Sequence, residues 1–353
     1  MASSMYQTWK EQCQNESEKL SNALGNITSG GIVEIIQHIG ATSIPGLEGS
    51  SCVDIGMAVW PFPLESEAKS KLEALGYQIV AGYTESPQQR FKHESGSFQL
   101  FIFESGIADW YDYLLVGDYL RHNDQARDNV SVKKKDLANN SSLYTELLPA
   151  ARQWWIEHYG FSDLEAIANE LKDASFDWYV SGGWALDLFQ GKVNRVHHDV
   201  DITLPRSAQL ELQKYLTERG WKLITPHEKK LEAWPPHMRL ELPRHQIHAH
   251  RDGVFMDILL TDIDQVWRYR REPVIVRAKE KISLRSESGI PHLAPELVLL
   301  FKSKNTSNHE RAKDQADFEG ALPHLDPEQR AWLQWALTAT TPEHPWIPQL
   351  TGT

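Results

Sequence analysis

Two aspartates, spaced two residues apart, form the strongest chemical signal in the sequence. Asp199 and Asp201 alternate with Val200 and Ile202, so in a strand both carboxylates lie on one face and both aliphatic side chains on the other. Carboxylate oxygens are the ligands that Mg²⁺ prefers in proteins. The pair therefore predicts a divalent metal site.

A glycine pair precedes these aspartates. Ser181, Gly182 and Gly183 follow a short apolar run that predicts a strand, and Trp184 opens a predicted helix. Because glycine has no Cβ and tolerates positive φ, the backbone at such a turn can approach a ligand closely. The free N–H groups of the helix start can then bind phosphate. Either motif alone is more often structural than catalytic, but their succession favours a site for phosphate and metal.

A third carboxylate lies inside a predicted strand. Asp257 stands in the otherwise apolar run of residues 255–259. A buried carboxylate without a partner is costly, and a metal ion shared with Asp199 and Asp201 would supply one. The sequence therefore predicts a three-carboxylate site.

Capping residues, chain breakers and alternation predict the elements around these groups. A capping box at Ser162–Glu165 predicts a helix through Leu171, and Pro205 predicts the start of a helix that runs to Arg219 and is closed by Gly220. Three prolines make residues 226–240 a predicted loop, which is a candidate cover over the site. Alternating runs at 246–250 and 254–260, joined by Asp252-Gly253, predict a hairpin.

The first half of the chain also mixes predicted helices and strands. Residues 64–75 predict a helix closed by Gly76, with strands at 77–80 and 98–103 and helices at 110–120 and 143–159. The polar segment 1–25 fits either a tail or a packing helix.

Composition restricts the class of protein. The chain has 353 residues, of which 41% are hydrophobic, enough for two domains. Apolar runs fall short of a membrane span and the N-terminus lacks the pattern of a signal peptide, so we expect a cytoplasmic protein without a membrane partner. The net charge of −12 disfavours a nucleic-acid partner. Cys13 and Cys52 are too few for a disulfide framework or a thiolate metal cluster.

The order of strand, Gly-Gly, helix and Asp-x-Asp, with a third carboxylate downstream, resembles the minimal pattern of the DNA polymerase beta-like nucleotidyltransferase superfamily. Residues 163–340 resemble the aminoglycoside and lincosamide adenylyltransferase branch of the antibiotic nucleotidyltransferases. The matching positions are Gly182 to Ala185, Asp187, Gly191, Arg195, His197 to Asp201, Asp257, Trp267 to Pro273, Gly289, Pro291, Leu293 to Glu296, Lys302, Lys313, Asp314, Asp317 and Phe318.

Residues from about 30 to 160 resemble the GrpB-like family, a branch of the same superfamily. The resemblance is carried by His38 to Gly40, Thr42, Pro45 to Leu47, Val53 to Ile55, Asp118 to Arg121 and Lys133 to Leu137. The sequence departs from the family at Ala41, Ser51, Phe101 and Gly117. Because Gly56 follows Asp54 at the spacing of a second carboxylate, we expect this domain to be non-catalytic.

The resemblances imply a fold of the α+β or α/β class, with two nucleotidyltransferase-like domains that each carry a small mixed sheet flanked by helices. We expect a polar segment at 1–25, a GrpB-like domain at 26–160, and a nucleotidyltransferase domain with C-terminal helices at 161–353. Whether the protein forms a homodimer is left open.

The activity hypothesis is transfer of a nucleoside monophosphate from a nucleoside triphosphate, with ATP expected, to a hydroxyl of a small molecule such as an aminoglycoside or lincosamide. Asp199 and Asp201 would hold Mg²⁺, and Asp257 would complete a two-metal clamp or act as a base. The nucleotide-binding candidates are Ser181, Gly182, Gly183, Arg195 and Lys302. Two alternatives remain: a toxin-like nucleotidyltransferase acting on protein or RNA, and a non-catalytic nucleotide-binding regulator.

Overall fold

The computed structural model describes residues 2–24, 32–47, 52–60, 62–83, 88–136, 141–227, 230–251, 254–304 and 308–351. The chain divides into two compact units: the first is Met1–His158 with His227–Glu232, and the second is Tyr159–Pro226 with Ala233–Thr353. Helices and mixed sheets build both units, which confirms the predicted fold class. Within the described residues, the helices are too short or too polar to cross a membrane.

The first unit contains a five-stranded sheet in the order β1-β2-β5-β4-β3. The strands β2 and β5 are parallel and the other neighbours are antiparallel. Its elements are α1 Ala2–Leu24, β1 Ile32–Ile39, β2 Val53–Trp60, α2 Ser66–Ala74, β3 Tyr77–Ile79, β4 Gln88–His93, β5 Phe98–Glu104, α3 Ala108–His122, α4 Asp124–Asp136 and α5 Ser141–Tyr159.

Helix α1 is part of the first unit's core. Cys13, Leu20 and Leu24 are buried and pack in one cluster with the apolar side chains of β2 and β5. Of the two predicted alternatives, a tail or a packing helix, the structure therefore shows the packing helix. Gly76, with φ of 87°, follows the end of α2 as predicted.

The second unit contains a sheet with the strand order β14-β15-β6-β7-β11-β10-β8, and β12 pairs separately with β13. Its elements are α6 Ser162–Leu171, β6 Tyr179–Val180, α7 Gly182–Gln190, β7 Val200–Pro205, α8 Gln209–Thr217, β8 Lys222–His227, β10 Gln246–Arg251, β11 Val254–Thr261, β12 Val266–Arg268, β13 Val276–Ala278, β14 Ser283–Arg285, β15 Pro291–Leu293, α9 Pro295–Lys302, α10 Asn308–Ala321, α11 Pro327–Thr340 and α12 Ile347–Leu350. The strand β9, Lys230–Ala233, lies mostly within the segment His227–Glu232 of the first unit.

The strands β7 and β11 lie side by side in the middle of this sheet and run parallel. Met256, Ile258 and Leu260 of β11 are buried, and the side chain of Asp257 points to the opposite face because neighbouring residues of a strand alternate. The alternation that makes β11 a half-buried strand thus also places its carboxylate on the other surface of the sheet.

The two units repeat one arrangement of strands. In the second unit, β6-β7-β11-β10-β8 have the same order as β1-β2-β5-β4-β3 in the first. The directions also agree, since only the second and third strands of each series are parallel. Positions in the two sheets can therefore be compared strand by strand.

Several local predictions were wrong. Ser162 does not cap α6: Phe161 is the N-cap residue, no side chain caps the helix, and the Ser162 hydroxyl donates to the carbonyl of Tyr159. Only two residues lie between α5 and α6, and Ser162 is itself the first residue of α6. At Pro205 the strand β7 is still continuing, and α8 begins at Gln209 after a short 3-10 turn.

The predicted loop at residues 226–240 contains the strand β9, so only part of it is a loop. The predicted hairpin is confirmed, because β10 and β11 are antiparallel neighbours with Arg251 opposite Val254. Its predicted turn, Asp252-Gly253, lies outside the described residues.

Candidate active site

Two of the predicted carboxylates lie directly opposite each other. In the parallel register of β7 and β11, Asp201 pairs with Asp257. Asp199 immediately precedes β7, and its backbone carbonyl accepts a 2.9 Å hydrogen bond from the indole N–H of Trp184 in α7. The fold therefore brings together all three aspartates from segments that lie far apart in the sequence.

The glycine pair packs against side chains of the site itself. Gly182 has a φ of 59°, and a Cβ at this position would lie 1.8 Å from Oδ2 of Asp201. A Cβ on Gly183 would lie 2.1 Å from Nη2 of Arg195. The sequence explained these glycines by the approach of a ligand, whereas the structure shows that the carboxylate and the guanidinium already require them.

The turn before α7 presents an unsatisfied hydroxyl. The side chain of Ser181 is buried, with 3% of the residue exposed, and its hydroxyl has no hydrogen-bond partner among the described residues. The Ser181 N–H donates to the carbonyl of Asp201 at 2.8 Å, which fixes the turn beside β7. Since the first N–H groups of a helix also lack intrahelical acceptors, this turn can donate to an anion.

Burial and like charges raise the pKa of both opposed carboxyls. Burial and then Asp199 raise the pKa of Asp201 to about 7, against the opposing effect of Lys302, Lys313 and Arg195. The pKa of Asp257 is raised well above its ordinary value, first by burial and then by Asp201. A carboxylate pair of this kind is stabilised by a cation between its members.

Asp257 has two polar neighbours on β10 that the sequence did not single out. The side-chain amide of Gln246 donates to Oδ2 of Asp257 at 2.7 Å. His248 lies opposite Asp257 in the antiparallel register, with Nε2 3.9 Å from Oδ1. That Oδ1 atom is buried and accepts no hydrogen bond from the described residues. The alternation of β10 was the available signal, because it places residues 246 and 248 on one face.

The predicted phosphate-binding cations belong to a charged network. Arg195 Nε lies 3.3 Å from Asp317, and Lys302 Nζ lies 2.8 Å from Asp314 and 2.7 Å from Asp317. Burial alone would raise the pKa of Asp317, but Lys302 and Arg195 lower it. Lys313 also belongs to this network. Desolvation by the surrounding protein, and then the positive charges of Arg195 and Lys302, lower the pKa of its ammonium group. Lys313 was part of the family resemblance but was not predicted as a site residue.

His197 packs against α7 through Trp184 and Asp187. Its ring stacks on Trp184 at 4.2 Å between centroids, and Nε2 lies 2.7 Å from Oδ2 of Asp187 in a buried contact. Burial and the charge of Arg195 lower the pKa of His197 well below its ordinary value. Asn194 donates to the other oxygen of Asp187 at 2.7 Å. This cluster holds the segment between α7 and β7.

The chemistry of the carboxylate ligands fits a divalent metal, although the described side chains are not already arranged around a metal position. Among the described residues, no group of three or more His, Cys, Asp or Glu side chains is arranged to hold a metal ion. In the described part of the chain the buried Oδ1 of Asp257 nevertheless lacks a hydrogen-bond donor, and Asp257 faces Asp201 across neighbouring strands. Carboxylate oxygens with such an unmet demand suit a hard cation.

Comparison with known families covers both units. Residues 3–159 match the family model described as GrpB protein, and residues 163–318 match that of aminoglycoside-2''-adenylyltransferase. These matches confirm both resemblances predicted from the sequence.

Curated relatives match over part of the chain. A UPF0157 protein of Halalkalibacterium halodurans is 28% identical over 133 residues, covering 37% of this chain and 66% of the relative. A UPF0157 protein of Streptomyces coelicolor is 31% identical over 114 residues, covering 32% of this chain and 56% of the relative. The chain thus spans about half to two thirds of the length of these relatives.

Solved structures of both kinds are similar in part. GrpB from Enterococcus faecalis is 21% identical with a TM-score of 0.34, covering 40% of this chain and 92% of that one. The lincomycin-bound adenylyltransferase LnuA is 18% identical with a TM-score of 0.34, covering 45% and 96%. ANT(2'')-Ia in complex with adenylyl-2''-tobramycin is 16% identical with a TM-score of 0.37, covering 51% and 98%.

Proposed function

The chain joins a GrpB domain to a nucleotidyltransferase domain of the aminoglycoside-2''-adenylyltransferase type, and from this premise we propose that it transfers a nucleoside monophosphate from a triphosphate to a hydroxyl of a small molecule. ATP is the proposed donor, an aminoglycoside or lincosamide the proposed acceptor, and pyrophosphate the leaving group. The reaction is assigned to the second domain, with the boundary near residue 160.

The observation that carries this proposal is the opposition of Asp201 and Asp257 beside the Ser181 turn. Phosphoryl transfer depends on positioning and on neutralising charge rather than on covalent catalysis. A turn with a buried, unsatisfied hydroxyl next to a buried carboxylate pair offers both a place for phosphate and a place for its counterion. A purely structural role leaves Oδ1 of Asp257 buried without a hydrogen-bond donor among the described residues.

In this proposal each group has a distinct task. Ser181 and the N–H groups of Gly182 and Gly183 bind phosphate oxygens, and Arg195 and Lys302 exchange part of their contact with Asp317 for the triphosphate. Asp257 either helps to hold metal or accepts the proton of the attacking hydroxyl.

Divalent cations bound by Asp199, Asp201 and Asp257, with Mg²⁺ expected, would neutralise charge on the transferred phosphoryl group and on the leaving pyrophosphate. Gln246 holds Asp257 in place through its 2.7 Å hydrogen bond.

The decisive experiment measures pyrophosphate release from ATP and the other triphosphates with Mg²⁺, against a panel of aminoglycosides and lincosamides. Asp199→Ala and Asp201→Ala should each lower acceptor-dependent release by at least about a hundredfold. Asp173→Ala, at an exposed aspartate just after α6, is the matched control and should retain it.

Other outcomes separate the alternatives. Metal-dependent triphosphate binding without release, with any small acceptor, would favour a protein or RNA acceptor, or a non-catalytic regulator. Absence of triphosphate binding would contradict the proposal.

A further inference from the structure

The first unit contains a cavity of about 130 Å³ between the turn at residues 40–44 and the helices α3, α4 and α5. Most of its wall is apolar, including Ile39, Leu47, Leu114, Leu120, Val130 and Leu147. Its volume is close to that of a cavity, roughly 150 Å³, that binds a benzene ring in another protein. By size it suits a single ring rather than a nucleoside triphosphate.

A glycine in the middle of a helix keeps this cavity open. Gly117 lies inside α3 and lines the cavity. The three atoms nearest to a Cβ at this position belong to the guanidinium of Arg121, and the nearest is at an ordinary contact distance of 3.6 Å. Glycine weakens a helix interior, and neither a positive φ nor a clash requires it here. The glycine at position 117 therefore serves to leave the space beside it empty.

One cation faces this space. Among the described residues that line the cavity, Arg121 alone carries a charge. Its Nε donates to the carbonyl of Ser43 and its Nη2 to the hydroxyl of Ser43, both at 3.2 Å, so the guanidinium is held in a fixed orientation. Oδ1 of Asp118 lies 3.9 Å from Nη1 of Arg121, which is long for an ion pair. A guanidinium has five N–H donors in one plane, and Ser43 accepts from only two of those of Arg121. A guanidinium binds a carboxylate well.

Two aromatic rings form another part of the wall. Tyr113 and Tyr144 both line the cavity and stack at 5.4 Å between centroids, with an interplanar angle of 24°. The hydroxyl of Tyr144 is buried and has no hydrogen-bond partner among the described residues. Aromatic walls favour a flat, polarisable ligand.

The repeated sheet arrangement shows why this pocket differs from the site in the second unit. Gly40 has a φ of 70°, and its Cβ would lie 2.3 Å from Oδ2 of Asp54, the same relation as that between Gly182 and Asp201. In the parallel register Asp54 faces Gln99, where Asp201 faces Asp257. Cys52 stands two residues before Asp54, where Asp199 precedes Asp201. Two of the three carboxylates that would hold a metal with a triphosphate are thus replaced, and only Asp54 is kept.

We propose that the first unit binds a small aromatic carboxylate in this cavity, with the ring against the apolar wall beside Gly117 and the carboxylate on Arg121. Binding requires no metal. This site is independent of the nucleotidyl transfer proposed for the second unit.

The test uses benzoate as the probe, titrated into the full-length protein by calorimetry without divalent metal. Toluene supplies the ring without the charge, and acetate the charge without the ring. Benzoate should bind at least about tenfold more tightly than either. Arg121→Met should weaken benzoate binding at least about tenfold, and Gly117→Leu, which fills the cavity, should abolish it.

Arg90→Met is the matched control, because Arg90 packs over Tyr83 and Phe101 and does not line the cavity; it should bind benzoate like the wild type. If Gly117→Leu fails to fold, Gly117→Ala carries the same test with a smaller expected loss. The proposal is overturned if benzoate does not bind, if toluene binds equally well, if phenyl phosphate binds more tightly, or if filling the cavity leaves the affinity unchanged.

Discussion

The carboxylate of Asp201 occupies the space that a Cβ on residue 182 would need, so this position accommodates only glycine. We expect Gly182→Ala to cost stability twice, through backbone strain of about 1–2 kcal/mol at positive φ and through the clash with the carboxylate. Because displacement of Asp201 disturbs the site, pyrophosphate release should fall at least about a hundredfold. Denaturant unfolding and the release assay measure the two effects.

Gly191 provides the comparison for this prediction. It also has a φ of 70°, but a Cβ there would meet no atom within 4 Å. Gly191→Ala should therefore cost only the backbone strain and leave catalysis nearly intact. Equal losses of activity in both variants would show that strain in α7, rather than the contact with Asp201, is responsible.

Asp257 is a proposed metal ligand, and its contribution to metal binding can be measured separately from catalysis. Mg²⁺ with ATP should raise the melting temperature of the wild type, because a ligand that binds only the folded state stabilises it. Asp257→Asn keeps the shape and the contact with Gln246 but weakens metal binding, so we expect most of this shift to disappear. Asp173→Asn, at the exposed control position, should preserve it. An unchanged shift in Asp257→Asn would remove Asp257 from the proposed metal ligands.

The residues of the candidate site were only partly predictable from sequence. Asp199, Asp201 and Asp257 could be proposed because carboxylates among aliphatic residues are locally anomalous. Gln246 and His248 were missed, because an amide or imidazole on a half-buried strand looks ordinary until the register places it opposite Asp257.

Helix α11 shows how strongly a local pattern depends on its surroundings. Asp326 accepts a 2.8 Å hydrogen bond from the N–H of Gln329, whose side chain accepts a 3.0 Å bond from the N–H of Asp326. We expect Asp326→Ala to destabilise the protein by about 1 kcal/mol. Ser162→Ala, at the capping box that does not form, should cost less than about 0.5 kcal/mol. Urea unfolding compares them, and a larger cost at Ser162 would contradict the structure.

The link between α6 and β10 should depend on pH. Arg251 donates to both carboxylate oxygens of Glu170 at 2.8 and 3.0 Å. This contact lowers the pKa of Glu170 below 4.5, against an opposing effect of burial. Because the folded-state pKa is the lower one, the stabilisation is complete above the unfolded value and is lost as the pH falls through the folded value.

Glu170→Gln should therefore destabilise the protein at pH 7, by less than about 1 kcal/mol because the pair is screened by solvent. The difference from the wild type should shrink towards pH 3.5. Unfolding free energies at both values measure it, and Arg251→Met should remove the same pH dependence. A difference that grows on acidification would contradict the assigned direction.

At the level of elements, strong alternation was reliable and loop assignment was not. The hairpin of β10 and β11 followed from alternating residues, whereas β9 was hidden among the prolines of residues 226–240. The strand β9 has only four residues, which is too short for a recognisable alternation of apolar and polar side chains. The conformation of such a short strand depends on its pairing more than on its own sequence.

For the whole molecule, the repeated strand order means that one scaffold occurs twice with different side chains at equivalent positions. The sequence resemblance predicted two related domains, but the equivalence of Asp54 with Asp201 and of Gln99 with Asp257 required the registers of the sheets. Conformationally demanding features are kept in both units, as the contacts of Gly40 and Gly182 show. The carboxylate opposite the shared aspartate is present in only one.

This difference leads to a prediction for the full-length chain. Asp54→Asn should leave acceptor-dependent pyrophosphate release within about twofold of the wild type, whereas the equivalent change Asp201→Asn should lower it at least about a hundredfold. Both variants replace a carboxylate that packs against a positive-φ glycine, so each controls for the structural effect of the other. Melting temperatures should confirm that both are folded. A folded Asp54→Asn protein without activity would contradict the assignment of the reaction to the second unit alone.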